Sequence, residues 1–274
     1  MGLRLRPVAA SRGQAWLREG FRAYFHHPLG YSLLFFAFLL TSALLGSIPL
    51  LGPWLATSLL PLLSLLFMGA TQDVQQGRPI GLAHWFALWR EPPRRLRTML
   101  LLCGAYGLLV TAIVALAFWS GGDELRQAFK PLARPQSGAQ DMMEVFGSAA
   151  VARLANTITL LVALVSVPYW HALALVRWGG QGAFQALFSS TIALWRTRGA
   201  VLLYGLSWIG CTLLGSLLAG LLSALLAAGG GGALALLPGL LIMLSLSSAF
   251  YASLWFMFID TFAPDDAGAG TSAP

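Results

Sequence analysis

Residues 98–122 read TMLLLCGAYGLLVTAIVALAFWSGG, without a single Asp, Glu, Lys or Arg. A helix of about 20 apolar residues rises about 30 Å, the hydrocarbon thickness of a bilayer. Three other stretches are equally free of charge: Ala23 to Gln72, Leu154 to Val176 and Gly199 to Ile259. The two shorter runs have room for one helix each and the two longer ones for two, which predicts six transmembrane helices. Pro49 and the Gly52-Pro53 pair interrupt the first long run, and four consecutive glycines, 229–232, interrupt the last. The spans are therefore expected at about 29–48, 54–71, 98–119, 154–176, 200–228 and 234–259, within one polytopic domain covering 1–260. Residues 120–153 would form an external loop, and 261–274, TFAPDDAGAGTSAP, has the composition of a disordered tail.

Composition agrees with this all-α integral-membrane class. Of 274 residues, 57% are hydrophobic and 10% charged, against about 25% charged in a soluble domain. Five arginines and an amphipathic stretch precede the first apolar run, and no cleavage-site pattern follows it, so the first helix is expected to be retained. Basic residues set the orientation. Arg4, Arg6, Arg12, Arg18 and Arg22 precede helix one; Arg78, Arg90, Arg94, Arg95 and Arg97 follow helix two; Arg177, Arg196 and Arg198 follow helix four. The opposite side receives Arg126, Lys130, Arg134 and Arg153, in a loop that also carries Asp123, Glu124, Asp141 and Glu144. Both termini should be cytoplasmic. The net charge of +7 then reflects topology and attraction to anionic lipid headgroups. It gives no reason to expect nucleic acid as a partner. By depth along their helices Cys103 and Cys211 differ by roughly 12 Å, too far for a disulfide.

Three segments on the basic side share a pattern. Leu17, Phe21, Tyr24 and Phe25 form an apolar stripe beside Arg18 and Arg22; Leu82, Trp85, Phe86 and Trp89 form a second one ahead of Arg90; Phe184, Phe188 and Trp195 form a weaker third. An aromatic stripe beside arginines suits a helix lying in the membrane interface. Each such helix would lead into a hairpin, giving three units that are either a true repeat or simply amphipathic approaches to the membrane. In helix five Ser216, Gly220, Ala224 and Ala228 recur every four residues, which suits close helix contact, either inside the bundle or with another membrane protein.

The Arg-rich start with FRAYFHHPLGY, then PLLSLLFMGATQDVQQGRP, YWHALALVRWGG and ALWRTRGA, resemble a family of uncharacterised betaproteobacterial inner-membrane proteins. The resemblance implies a six-helix inner-membrane protein and no particular activity.

Candidate sites are few. Asp73 and Asp260 end helices two and six, and Arg177 ends helix four at the same membrane edge, so Arg177 is expected to pair with one of them or to reach the headgroups alone. No carboxylate lies within a span, which argues against ion coupling through a buried acid. His26, His27 and His84 lack ligand spacing and an acidic partner, and neither a nucleophile elbow nor a phosphate loop is present, so no metal, cofactor or catalytic residue is expected. His171 lies about six residues inside helix four, at a depth similar to that of Cys103. It is expected to donate one hydrogen bond to a facing helix, the other reading being a Cys-His couple. Two functions remain: a non-catalytic membrane protein acting by contact with lipids or a partner, and a transporter with an uncharged path kinked at Pro61 and Pro168.

Overall fold

The computed structural model describes residues 3–81, 83–86, 90–133 and 138–264. Its helices are α1 (Arg12–His26), α2 (Pro28–Gly46), α3 (Gly52–Ser58), α4 (Leu60–Gln75), α5 (Ala83–Phe86), α6 (Pro93–Phe129), α7 (Ala139–Gly147), α8 (Ala149–Ser166), α9 (Tyr169–Gly179), α10 (Ala183–Arg196), α11 (Arg198–Ala228) and α12 (Leu237–Thr261). Six stretches are long and apolar enough to cross a membrane: Pro28–Gly46, Gly52–Gln75, Pro93–Ala133, Ala149–Gly179, Arg198–Ala228 and Gly232–Thr261.

The breaks follow the sequence. The chain turns at 47–51, ahead of Gly52, whose added Cβ would lie 2.2 Å from the Gly46 carbonyl. Helix two is divided at Leu59, just before Pro61, and helix four at Val167–Pro168, because proline removes a backbone donor and its ring crowds the preceding turn. Gly230 and Gly232 take positive φ in the last turn, and Gly180 does so to end α9. There Gly180 N–H donates to Val176 O and Gln181 N–H to Leu175 O, the closing pattern that a left-handed residue permits.

Two expectations need correction. Residues 120–153 are mostly helical rather than a loop: α6 turns at Gly122 (φ 46°) and continues to Phe129, and α7 follows. Asp123, Glu124, Arg126, Glu144 and Arg153 fall on exposed helix positions, and a segment without an uncharged run reads as loop. Nor does an irregular tail begin at 261. Thr261 ends α12, and strand β2 (Phe262–Pro264) pairs antiparallel with β1 (Leu3–Leu5), with Leu5 opposite Phe262. Residues 265–274 lie outside the described residues.

Helix α12 is central, packing on α1, α2, α4, α9 and α11. One buried cluster joins Met68, Leu102, Leu173 and Leu254; another joins Trp16, Tyr31, Phe67 and Tyr204. The outer surface is also apolar, with Leu213, Leu217, Leu221 and Leu225 exposed along α11, an arrangement that lipid solvates and water does not.

Candidate functional site

Charged side chains gather at one end of the bundle. Asp73, in the last turn of α4, accepts from Arg78, whose Nε lies 3.0 Å from Oδ1, and its Oδ2 lies 2.9 Å from His84 Nε2. The other ring nitrogen, Nδ1, lies 2.7 Å from Gly81 O, so both nitrogens face oxygen acceptors and the ring ties α5 to α4. Arg177, in the last turn of α9, crosses Gly69, where an added Cβ would lie 3.5 Å from Nη1, and Arg177 Nε donates to Glu91 Oε1 at 3.1 Å. Asp73, His84, Glu91 and Arg177, together with Arg90 and Gln72, line a polar cavity of about 260 Å³.

The expected pairing of Arg177 with Asp73 or Asp260 is thus corrected. Asp73 is taken by Arg78 and His84, Asp260 by another element, and Arg177 holds Glu91. Glu91 is the one carboxylate between Asp73 and Asp123, a signal that could have drawn attention to it, although its reach back to α9 depends on loop geometry. Arg177→Gln should cost about 1–2 kcal/mol in detergent stability, since it leaves a mostly buried carboxylate without its main donor. Arg177→Glu combined with Glu91→Arg should recover part of the loss. A double variant no better than Arg177→Glu alone would remove the pair from the account.

Asp260, in the last turn of α12, is held by α1. Its Oδ2 accepts from Arg12 Nε at 2.7 Å and from the indole N–H of fully buried Trp16 at 2.6 Å. Glu19 adds a second carboxylate 3.2 Å from Arg12. Burial lowers the Arg12 pKa, but the hydrogen bond and charge of Asp260, helped by Glu19, outweigh it and hold the guanidinium above its ordinary value. The face of α1 buried against the bundle includes Gly13, Trp16, Gly20 and Ala23, spaced i, i+3, i+7 and i+10, beside the Leu17–Phe25 stripe expected at the membrane interface. Tyr24, from that stripe, is buried and bonds Ser32 and Ser245, while Phe25 is exposed. The glycines let the α1 backbone approach α11 and α12. A Cβ at Gly13 would lie 2.2 Å from Ala200 O, and one at Gly20 would lie 2.5 Å from both Ala249 O and Ser253 Cβ. Sequence reading missed this face because glycine carries no hydrophobic signal.

His171 is fully buried, packed against Phe258 and Phe262 at ring separations of 5.8 and 5.7 Å. Neither ring nitrogen has a hydrogen-bond partner among the described residues, so the expected bond to a facing helix is not made, and the phenyl rings packed on it offer no acceptor. Cys103 instead lines a groove between α3 and α6. A hydrogen-bonded ring would tolerate Gln better than Leu; an unpartnered one reverses that order. His171→Leu should match or exceed the native melting temperature, whereas His171→Gln, which buries an amide without a partner, should lose about 1–3 kcal/mol. Better retention of stability in Gln than in Leu would restore the hydrogen-bonded reading.

Phe184, Phe188 and Trp195 of α10 are exposed, opposite a buried face of Ala186, Ser190, Ala193 and Leu194, and the Arg198 guanidinium lies 5.5 Å from the Trp195 ring centroid. Trp85 falls in α5; Leu82 and Trp89 lie outside the described residues. Ser216, Gly220, Ala224 and Ala228 are all exposed, and an added Cβ at Gly220 would meet nothing within 4 Å. That overturns their reading as a contact inside the bundle. The adjacent face of α11 makes the contact, at Gly215 against Ile242 and Leu246.

Several recesses lie along the spans. A cavity of about 230 Å³ touches both proline breaks and is lined by Pro61, Ser64, Tyr106, Ser166, Tyr169 and Tyr251, with the Tyr106 hydroxyl 2.8 Å from Ser166 Oγ. Two larger ones lie between α11 and α12, about 820 Å³, and between α3 and α6, about 830 Å³. Exposed leucines flank both.

Over 271 residues, 97% of this chain and 97% of the other, the sequence is 29% identical to a probable inner membrane protein of Burkholderia thailandensis. That likeness runs through all six membrane-length helices. This chain is a multi-pass inner-membrane protein. It matches no protein-family model and no solved structure.

Proposed function

We propose that this inner-membrane protein is non-catalytic and acts sideways, by contact with lipids and with another membrane protein. The observation that carries this reading is the distribution of space. Recesses of about 820 and 830 Å³ lie among lipid-facing leucines, whereas the cavity at the proline breaks is about 230 Å³ and is hemmed in by Tyr106, Tyr169, Trp170, Phe250 and Tyr251. Exposed Phe25, Phe184, Phe188 and Trp195, with the arginines nearby, form a belt suited to an interface. The finer arrangement in this proposal is three units, each an interfacial helix followed by a hairpin, with both termini in the cytoplasm. It is supported by the thirteen-to-four basic asymmetry and by the packing of α2 on α3, α6 on α8 and α11 on α12. The exposed small-residue face of α11 is the proposed place for a partner helix.

Purification in mild detergent tests the function: one stoichiometric membrane partner should accompany the native chain and be lost with Gly220→Leu, while recovery of the chain alone in both cases would count against a partner on α11. For the topology, a reporter active only in the cytoplasm should be active after Pro274 and silent when inserted at Gly138. Reversed signals would overturn the orientation.

The second reading, a transporter with an uncharged path, is favoured by one observation: both proline breaks border the same cavity, and interrupted helices are where transporters place their sites.

A further inference from the structure

The groove between α3 and α6 differs from the other lateral recess in one respect: it has a cation at one end. Leu55, Leu59 and Leu62 form one wall, Leu101, Ala105 and Leu108 the other, and Arg97 stands at the mouth. No ion pair engages Arg97 among the described residues, and its side chain is exposed. The recess between α11 and α12 is lined without any charged residue. Polar groups within the α3–α6 groove are already satisfied, the Trp54 indole N–H donating to Gly104 O at 3.2 Å and the Ser58 hydroxyl to Trp54 O at 2.7 Å. What remains for an occupant is hydrocarbon below a single guanidinium.

The composition of the groove points to its occupant. Arg97 is the last charge before the uncharged run 98–122, and no acidic residue lines the groove beside it among the described residues. Leu45, from the last turn of α2, adds to the apolar wall. An apolar partner helix supplies no anion for Arg97, whereas one phospholipid supplies both an acyl chain for the leucines and a phosphate for the guanidinium.

We propose that this groove is a binding site for one anionic glycerophospholipid, its phosphate on Arg97 and one acyl chain between α3 and α6. The site rests on the lateral-contact reading and gives that contact a chemical class.

The test uses the full chain in mild detergent, with phosphatidylglycerol and phosphatidylethanolamine titrated separately by native mass spectrometry and a phosphatidylglycerol with a photoactivatable acyl chain mapped by peptide sequencing. One phosphatidylglycerol should be retained in preference to phosphatidylethanolamine, and labelling should concentrate on residues 54–62 and 98–108. Arg97→Gln should weaken phosphatidylglycerol about five-fold, the usual effect of one basic residue at an anionic surface, and leave phosphatidylethanolamine nearly unchanged. Ala105→Trp, or Leu108→Trp if that variant does not accumulate, should suppress labelling with either headgroup. Labelling spread evenly over α2, α6 and α11, or an unchanged lipid preference in Arg97→Gln, would overturn the site. Those outcomes leave the lateral-contact reading standing, because that reading depends on a closed interior, which thiol accessibility of Ser64→Cys and Ser166→Cys measures separately.

Discussion

Gly20→Ala is expected to lower the melting temperature of the detergent-solubilised protein by roughly 5 to 10 °C, about 2 to 3 kcal/mol, although it adds only a methyl group and normally favours a helix. The new Cβ would stand 2.5 Å from Ala249 O and from Ser253 Cβ. One of these is backbone and the other is fixed to it, so neither can swing away, and α1 must lift from α12. Gly13→Ala meets Ala200 O at 2.2 Å and should behave alike. The two sites are two turns apart, yet both lift the same helix, so the double variant should cost less than the sum. Gly210→Ala is the control: nothing lies within 4 Å of its added Cβ, and it should be neutral or slightly stabilising. Equal melting temperatures for Gly20→Ala and Gly210→Ala would mean that α1 does not pack this closely.

The second large effect concerns the carboxylate beneath the same helix. Asp260→Ala removes the acceptor of the Trp16 indole N–H, a donor on a fully buried side chain, and one of the two carboxylates at Arg12. An orphaned buried donor costs about 1–3 kcal/mol. Arg12 keeps Glu19 and is partly exposed, so its share is small. The expected loss is about 2 to 3 kcal/mol, read as thermal stability and as accumulation in the membrane. Asp260→Asn, which keeps an oxygen acceptor, should lose about half as much. The decisive variant is Asp260→Ala with Trp16→Phe. With the indole donor gone as well, the pair should cost measurably less than the two single changes added together. Strict additivity would show that the indole and carboxylate do not interact.

The sequence announces the spans plainly, because a bilayer tolerates charge so poorly that every crossing is an uncharged run; proline and glycine then mark where those runs break. What it hides has a common physical cause. Glycine packing of α1 has no hydrophobic signature, so the face that meets α11 and α12 goes unread beside the bulky aromatics. The pairings of Arg177 with Glu91 and of Asp260 with Arg12 join residues 86 and 248 positions apart in the chain; residue type suggests that such charges pair but not with whom. Helix in α7 and the end of α6 was concealed by charges such as Asp123, Glu124, Arg126 and Glu144, which sit on exposed turns. The polar cavity around Asp73 and Arg177 was half legible: two of its members were singled out, while Glu91 and His84 come from a connecting segment whose path only the folded chain defines. The apolar groove closed by Arg97 was not legible at all, since it exists only between helices.

The central claim, that this protein works through its lateral surfaces and holds no open path, is tested most directly by thiol accessibility. In a chain carrying Cys103→Ala and Cys211→Ala, single cysteines replace Ser64 and Ser166 at the cavity by the proline breaks, with a cysteine in place of Gly138 as the externally exposed control. A membrane-impermeant thiol reagent applied in turn to each face of the membrane should label Gly138→Cys from one face and leave Ser64→Cys and Ser166→Cys unmodified from both. Labelling of Ser64→Cys and Ser166→Cys from either face would reveal a water-filled route to the centre of the bundle, contradict the account and favour the transporter.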